Sequence, residues 1–449
     1  MKNLVREKDF YKTFFRLTLA VAFQNVIVYC VNLADNVMLG AYTENALAGA
    51  ALANQVQFLL QMMVMGVGEG LLVLSSRFWG EKNVPQIKKT ASIGLLAAAF
   101  VTALLFFAVY FFPETVIGLL TDDPEALAEG VKYIKVVCFS YPFFLITNVI
   151  VIMLRSVETV RIGVVMNAIA LVTNVSLNYL LIFGKAGLPE MGSEGAALAT
   201  VISRAVETLV VVIYLFGFDK KLKMKPGDFF HPDGKLFKLY IKVGFPVFCS
   251  SFSWGIAQSF QTAILGHMGK TAINASSIAS TVFQVISVVV YASASAAGVM
   301  IAKTIGEGKM EKIKPYAITM QLLFISLGLV SGLILFLIKD AIIGLYAIDG
   351  DARAMALSFM TVLSITLVGT SYQMPCLTGV VRSGGDTNFV FYNDLIWMWL
   401  IVLPASYLAA FVWNASPLIV FAILKCDQVT KCFVAVVKIN RFKWVKKFH

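Results

Sequence analysis

Between residues 13 and 437 the chain repeats one pattern, an apolar stretch of about 20 residues followed by a short polar connection. A helix of that length rises about 30 Å, the thickness of the hydrocarbon core of a bilayer. Twelve such helices are predicted, at 13–40, 48–76, 90–112, 130–154, 160–184, 195–218, 239–266, 273–302, 315–338, 351–381, 388–411 and 413–437. The ten-residue alternating segments of a membrane barrel are missing. Pro404 and Pro417 interrupt the last two stretches, and the final one carries Lys425, Asp427 and Lys431. The fold class expected is therefore an all-α integral membrane protein.

Composition agrees and narrows the reading. Only 14% of the 449 residues are charged, 59% are hydrophobic and mean hydropathy is +0.80. Soluble domains average about a quarter charged residues. The net charge of +11 suggests nucleic acid at first sight, but no basic patch interleaved with aromatics supports that partner. It follows instead from the loops. One alternate set, comprising the N-terminus, 77–89, 155–161, 218–238, 303–314 and the tail KINRFKWVKKFH, holds most of the bases. The other set holds Lys185, Lys270, Lys339 and Arg353. By the positive-inside rule both termini are cytoplasmic, in a multi-pass protein of the plasma membrane. The N-terminus MKNLVREKDF shows no cleavable signal, so the first apolar stretch is an anchor. Six scattered cysteines without a CxxC pair, and three histidines without ligand spacing, point to neither disulfide nor metal centre. GVGEG (66–70) is no phosphate loop, because no strand precedes it and no Lys-Ser/Thr follows. No cofactor is expected.

An internal repeat organises the rest. Shifted by 226 residues, Leu39-Gly40 meets Leu265-Gly266, Gly80-Glu81 meets Gly306-Glu307 and Ile87-Lys88 meets Ile313-Lys314. Over 39–88 this ungapped register keeps 11 of 50 residues identical, loop residues included. At a shift of 227, Arg155-Ser156 meets Arg382-Ser383. Two pseudo-symmetric six-helix lobes are expected, 1–217 and 239–449, joined by a basic cytoplasmic linker at 218–238. Halves with an even number of helices run in the same sense, the plan of many transporters with alternating access.

Charges inside the membrane cost about 3 kcal/mol each and demand a reason. Asp35, in VNLADNVMLG, is the first. Asn32 precedes it by three residues, on a neighbouring position of the helix face. The fifth helix offers Asn174 and Asn178 at i,i+4, the fourth Asn148 and the sixth Thr200. One carboxylate with amide and hydroxyl oxygens suits a hard cation, and a sodium ion at Asp35, Asn174 and Asn178 fits. A proton serves equally, since a desolvated carboxylate readily takes one up. Interhelical hydrogen bonding explains any single Asn as well, but a lone acid is poor glue. The repeat counterpart of Asp35 is Gln261, and no acid lies between Asp233 and Glu307 or between Asp351 and Asp386. Ionic chemistry is thus expected in the first half. Arg204 and Glu207, at i,i+3, are expected to form an ion pair or to contact substrate. Lys425 and Asp427 form a similar candidate cluster. Glu69 is expected to pair or snorkel near Arg77, with a cavity role as the alternative, and Asp394 to pair with Arg382.

The segments ADNVMLG, ALANQVQFLL followed by SSRFWGEKN, NVSLNYLLIFG, GAALATVISR and LTGVVRSGGDT resemble the multidrug and toxic compound extrusion (MATE) family, across essentially the whole chain. The resemblance implies two six-helix lobes around a cleft and exchange of organic cations for sodium or protons. It implies a cation site at Asp35, Asn148, Asn174, Asn178 and Thr200. Two departures are visible. Ala20 stands where many members have a proline, although the repeat counterpart keeps Pro246, and Asn178 stands where some members have Asp. The function expected is a monomeric antiporter in the lipid bilayer, exporting small-molecule organic cations in exchange for H+ or Na+. A flippase for lipid-linked sugars is the nearest alternative. An intramembrane enzyme or receptor is a more distant one, since Asp35 has no evident catalytic partner.

Overall fold

A computed structural model of the chain describes residues 4–344 and 350–446. Residues 1–3, 345–349 and 447–449 lie outside them. All the elements in the described residues are helical. We number the twelve main helices α1 Lys8–Tyr42, α2 Glu44–Gly80, α3 Val84–Phe111, α4 Pro124–Ser156, α5 Arg161–Ile182 and α6 Gly192–Phe218 in the first half. The second half has α7 Gly234–His267, α8 Lys270–Gly306, α9 Met310–Ile343, α10 Gly350–Val381, α11 Thr387–Val412 and α12, made of Pro417–Leu424 and Asp427–Asn440. A short helix, Pro113–Gly118, precedes α4. Ten of the twelve are long and apolar enough to cross a membrane on those grounds alone; α7 and the broken α12 complete the set.

Several helices start earlier than hydropathy suggests. Apolar residues mark the part of a helix in lipid, whereas backbone hydrogen bonding continues through the polar boundary. Local sequence fixes these starts. Asn83 accepts from the Gln86 amide (3.3 Å) with Pro85 in the first turn of α3. Asp123 accepts from the Glu125 amide (3.0 Å) with Pro124 opening α4. Both pair a side-chain cap with a proline where no N–H is needed. The 226-residue register is also kept: α7, α8, α9, α10 and α11 each begin 226 residues after α1, α2, α3, α4 and α5.

Irregular turns cluster at prolines. In α4 a 3-10 turn, Cys138–Ser140, precedes Pro142. A widened π turn, Pro375–Val381, closes α10, and another, Ile396–Val402, leads into Pro404 of α11. A ring that lacks an N–H and crowds the preceding turn is accommodated by such rearrangements.

The chain forms two compact units. The first comprises Phe23–Trp79 and Asn83–Ser251, the second Met1–Ala22, Gly80–Lys82 and Phe252–His449. The divisions thus fall inside α1 and α7 rather than in the 218–238 loop. Within the first unit that loop packs on α3, through Lys88 to Asp228 (2.8 Å), Lys89 to Asp233 (3.0 Å) and Ser92 to the Phe229 carbonyl (2.7 Å). The GVGEG stretch of α2 proves to be a packing surface. A β-carbon on Gly70 would lie 2.7 Å from the Gly244 Cα, and one on Gly66 2.9 Å from the Phe248 Cα. Such spacing of glycines lets two helices meet at backbone distance. The core of the second unit is aliphatic and aromatic, with Phe359 and Phe421 stacked at 4.1 Å.

Candidate functional site

Within the first unit, α1, α2, α4, α5 and α6 bring a polar group together inside the apolar spans. Asn178 donates a hydrogen bond from its Nδ2 to Asp35 Oδ1, joining residues 143 positions apart. The same nitrogen donates to Asn174 Oδ1 at 3.0 Å, and Asn174 also lies within hydrogen-bonding reach of the Asp35 carboxylate. The i,i+4 spacing on α5 makes this possible, because it stacks the two amides on one face. Asn174 and Asn178 are buried, whereas Asp35 is half-buried. Asp35 makes no ion pair among the described residues.

Around this core stand groups that the sequence did not single out. The buried Tyr133 of α4 lies close to Thr200 and Gln57. A cavity of about 10 Å³ lies nearby, lined by Gln57, Leu60, Gln61, Tyr141, Phe144 and Arg204 among others. Arg204 donates to Glu207 Oε2 at 2.8 Å and sits 5.1 Å above the Phe144 ring. Glu207, 5% exposed, is thereby neutralised in place.

Other expected members are placed elsewhere. Asn32 is exposed and makes no hydrogen bond among the described residues. Asn148 turns its amide onto its own helix, donating to the Phe144 carbonyl at 2.9 Å. Thr200 donates to the Ala196 carbonyl (3.1 Å) while facing Tyr133. Glu69 is half-buried in the field of Arg155, which reaches Gln24 Oε1 at 3.4 Å.

The second unit arranges its charges differently from expectation. Asp394 pairs with Lys431 at 3.2 Å, and Arg382 has no ion pair among the described residues. Lys431 also holds Asp427 at 3.3 Å. The Lys425 ammonium makes its hydrogen bond to Gln261 Oε1, at 3.1 Å, rather than to Asp427. Nearest neighbours in sequence are a poor guide here, since one lysine on the inner face of α12 satisfies two acids from different helices.

The sequence model of the family described as MatE matches residues 20–180 and 246–408. The two matches start 226 residues apart, the offset of the repeat. The chain belongs to the MatE family. A relative described as the uncharacterised transporter YisQ of Bacillus subtilis is 24% identical over 91% of this chain and 90% of its own length. A probable multidrug resistance protein NorM of Listeria innocua is 24% identical over 96% of this chain and 94% of its own. A crystal structure of a mutant of the Vibrio cholerae MATE transporter VcmN shares the fold, with a TM-score of 0.86 at 16% identity, over 96% of this chain and 97% of that one. The MatE chain is accordingly a multi-pass membrane transporter with twelve transmembrane helices in two six-helix lobes, and it is not an enzyme.

Proposed function

We propose that this transporter exports amphipathic organic cations in exchange for a proton carried by Asp35. The observation that carries this reading is the company Asp35 keeps. Glu207 and Glu69 face arginines, whereas the carboxylate of Asp35 makes no ion pair among the described residues and accepts from the neutral amide of Asn178, with Asn174 beside it and the Arg204 charge felt only at longer range. An acid neutralised by an arginine gains little by taking up a proton. An acid held by amides changes the charge of its whole pocket when it does so. A bound organic cation and a bound proton are then alternatives, and that exclusion is what an antiporter requires.

Sodium is the second reading, and one observation favours it. The Asn178 Oδ1 is buried with no hydrogen-bond partner. Rotating that amide would present oxygen to a metal ion, in addition to the Asp35 and Asn174 oxygens. Against it, only one carboxylate is present and the Arg204 charge is felt at Asp35. A lipid-linked sugar flippase is disfavoured because Arg204 and Lys431, two of the few intramembrane bases, are already engaged by acids. The same reading takes 1–217 and 239–449 as the moving lobes of a monomer. It puts both termini in the cytoplasm by the distribution of basic loops.

The test is ethidium efflux from reconstituted vesicles, with proton and sodium gradients imposed separately. A proton gradient alone is expected to drive efflux, and Asp35→Asn to abolish it. Efflux driven only by sodium would transfer the coupling role to that ion. Full efflux by Asp35→Asn under either gradient would overturn the assignment.

A further inference from the structure

Lys425 is a base inside α12 that no acid neutralises at contact distance. Asp427, two residues on, influences it only at longer range, because that carboxylate is spent on Lys431. The ammonium carries three donors. Among the described residues its one hydrogen bond goes to Gln261, and the Phe421 ring lies 5.9 Å away. Two donors remain.

Its position is a break in the helix. Pro417–Leu424 ends and Asp427–Asn440 begins on either side of Lys425 and Cys426, held by tight bonds from the Lys425 amide to Ala422 O and from the Cys426 amide to Ile423 O (both 3.2 Å). Interrupted membrane helices are one place where transporters put ligand contacts, since irregular backbone is tolerated there when it is buried in protein or lines a cavity. The repeat adds a second, independent observation. Gln261 occupies the register of Asp35, and Lys425 that of Ala199. Where the first half holds a carboxylate with amides, the second holds an amide with an ammonium. Phe260, the residue before Gln261, packs edge to face on Trp399 at 5.7 Å, with Trp399 Nε1 anchored on Ser253 Oγ at 2.6 Å.

We propose that Lys425 receives an anionic group, a carboxylate above all, of transported molecules. This rests on the reading of the chain as an exporter of small organic molecules. Gln261 is the positioning residue. Its carbonyl aims the ammonium, while its Nε2 faces Met398 Sδ at 3.4 Å.

The test compares a rhodamine bearing a free carboxylate with the methyl ester of the same dye, by fluorescence polarisation on detergent-purified full-length protein. Lys425→Gln is expected to lower the ratio of acid to ester affinity about tenfold, the scale of one charge-assisted hydrogen bond. Lys425→Arg should keep that ratio. Gln261→Glu, which sets a carboxylate on the ammonium, should lower it as Lys425→Gln does, so the comparison stands even where Lys425→Gln fails to fold. An unchanged ratio in both Lys425→Gln and Gln261→Glu overturns the proposal, as does wild-type protein that binds neither dye saturably. Binding needs no ion gradient. Wild-type protein that binds both dyes but exports neither in vesicles would therefore count against the exporter reading, leaving the ratio to decide Lys425.

Discussion

The two halves share a backbone register and differ in what they put on it. At the shared offset, Asp35, Asn174 and Asn178 of the first half correspond to Gln261, Leu400 and Pro404 of the second. Asp394, Lys425 and Lys431 of the second correspond to Ala168, Ala199 and Ala205 of the first. Five of the six helix starts survive this exchange to the residue, because they depend on caps, prolines and apolar length. The polar groups do not survive it, because each is tied to partners on other helices. One half therefore keeps an acid with neutral company. The other balances two acids on one lysine and leaves a second lysine unmatched. A repeat doubles a scaffold without doubling its chemistry.

The largest effect that separates the halves should come from exchanging the matched pair. Asp35→Asn is expected to reduce ethidium efflux from cells lacking other exporters about tenfold or more, as befits an intramembrane acid with a functional role. Gln261→Asn should cost less than about threefold in the same assay, since ethidium carries no anionic group for Lys425 to receive. Equal losses in the two variants would break the comparison.

The next effect concerns stability. Lys431→Met takes the ion pair from the buried Asp427 and one partner from Asp394, and a buried charge left without its partner costs about 3 kcal/mol. Thermal melting of the purified protein should show the loss. Adding Asp427→Asn should recover part of it, because the buried acid that lost its lysine is then removed. If the single variant melts with the wild type, the three side chains are not the buried network described above.

The smallest effect is expected at Asn32. It lies exposed and unbonded on α1, so Asn32→Ala should leave efflux within about twofold of wild type. A loss as large as that of Asp35→Asn would return Asn32 to the site.

Much of this was legible in the sequence. Apolar length gave the twelve helices, and matched loop residues gave the repeat. The i,i+4 amides of NVSLNYLLIFG pointed to the partner face for Asp35. What escaped did so for physical reasons. Asn32 and Asn148 have the right type and spacing, but a position near a helix face does not fix where the side chain is aimed. Asn148 finds an acceptor on its own backbone. Tyr133 stands in a stretch with no polar periodicity, whereas Gln57 shares a helix face with Asn54 and Gln61, a stripe that hydropathy averages away. Asp394 chose Lys431, 37 residues away, over an arginine nearer in sequence. Pairing across helices follows packing angles that hydropathy does not encode.

The central claim is that loading of Asp35 with a proton excludes the organic cation. It is tested most directly by adding tetraphenylphosphonium to weakly buffered, purified protein near neutral pH and following a soluble pH dye. Wild-type protein and Gln261→Asn should release up to about one proton per cation bound, and Asp35→Asn none, by the reciprocity of coupled binding. Release from Asp35→Asn as large as from the wild type would contradict the account.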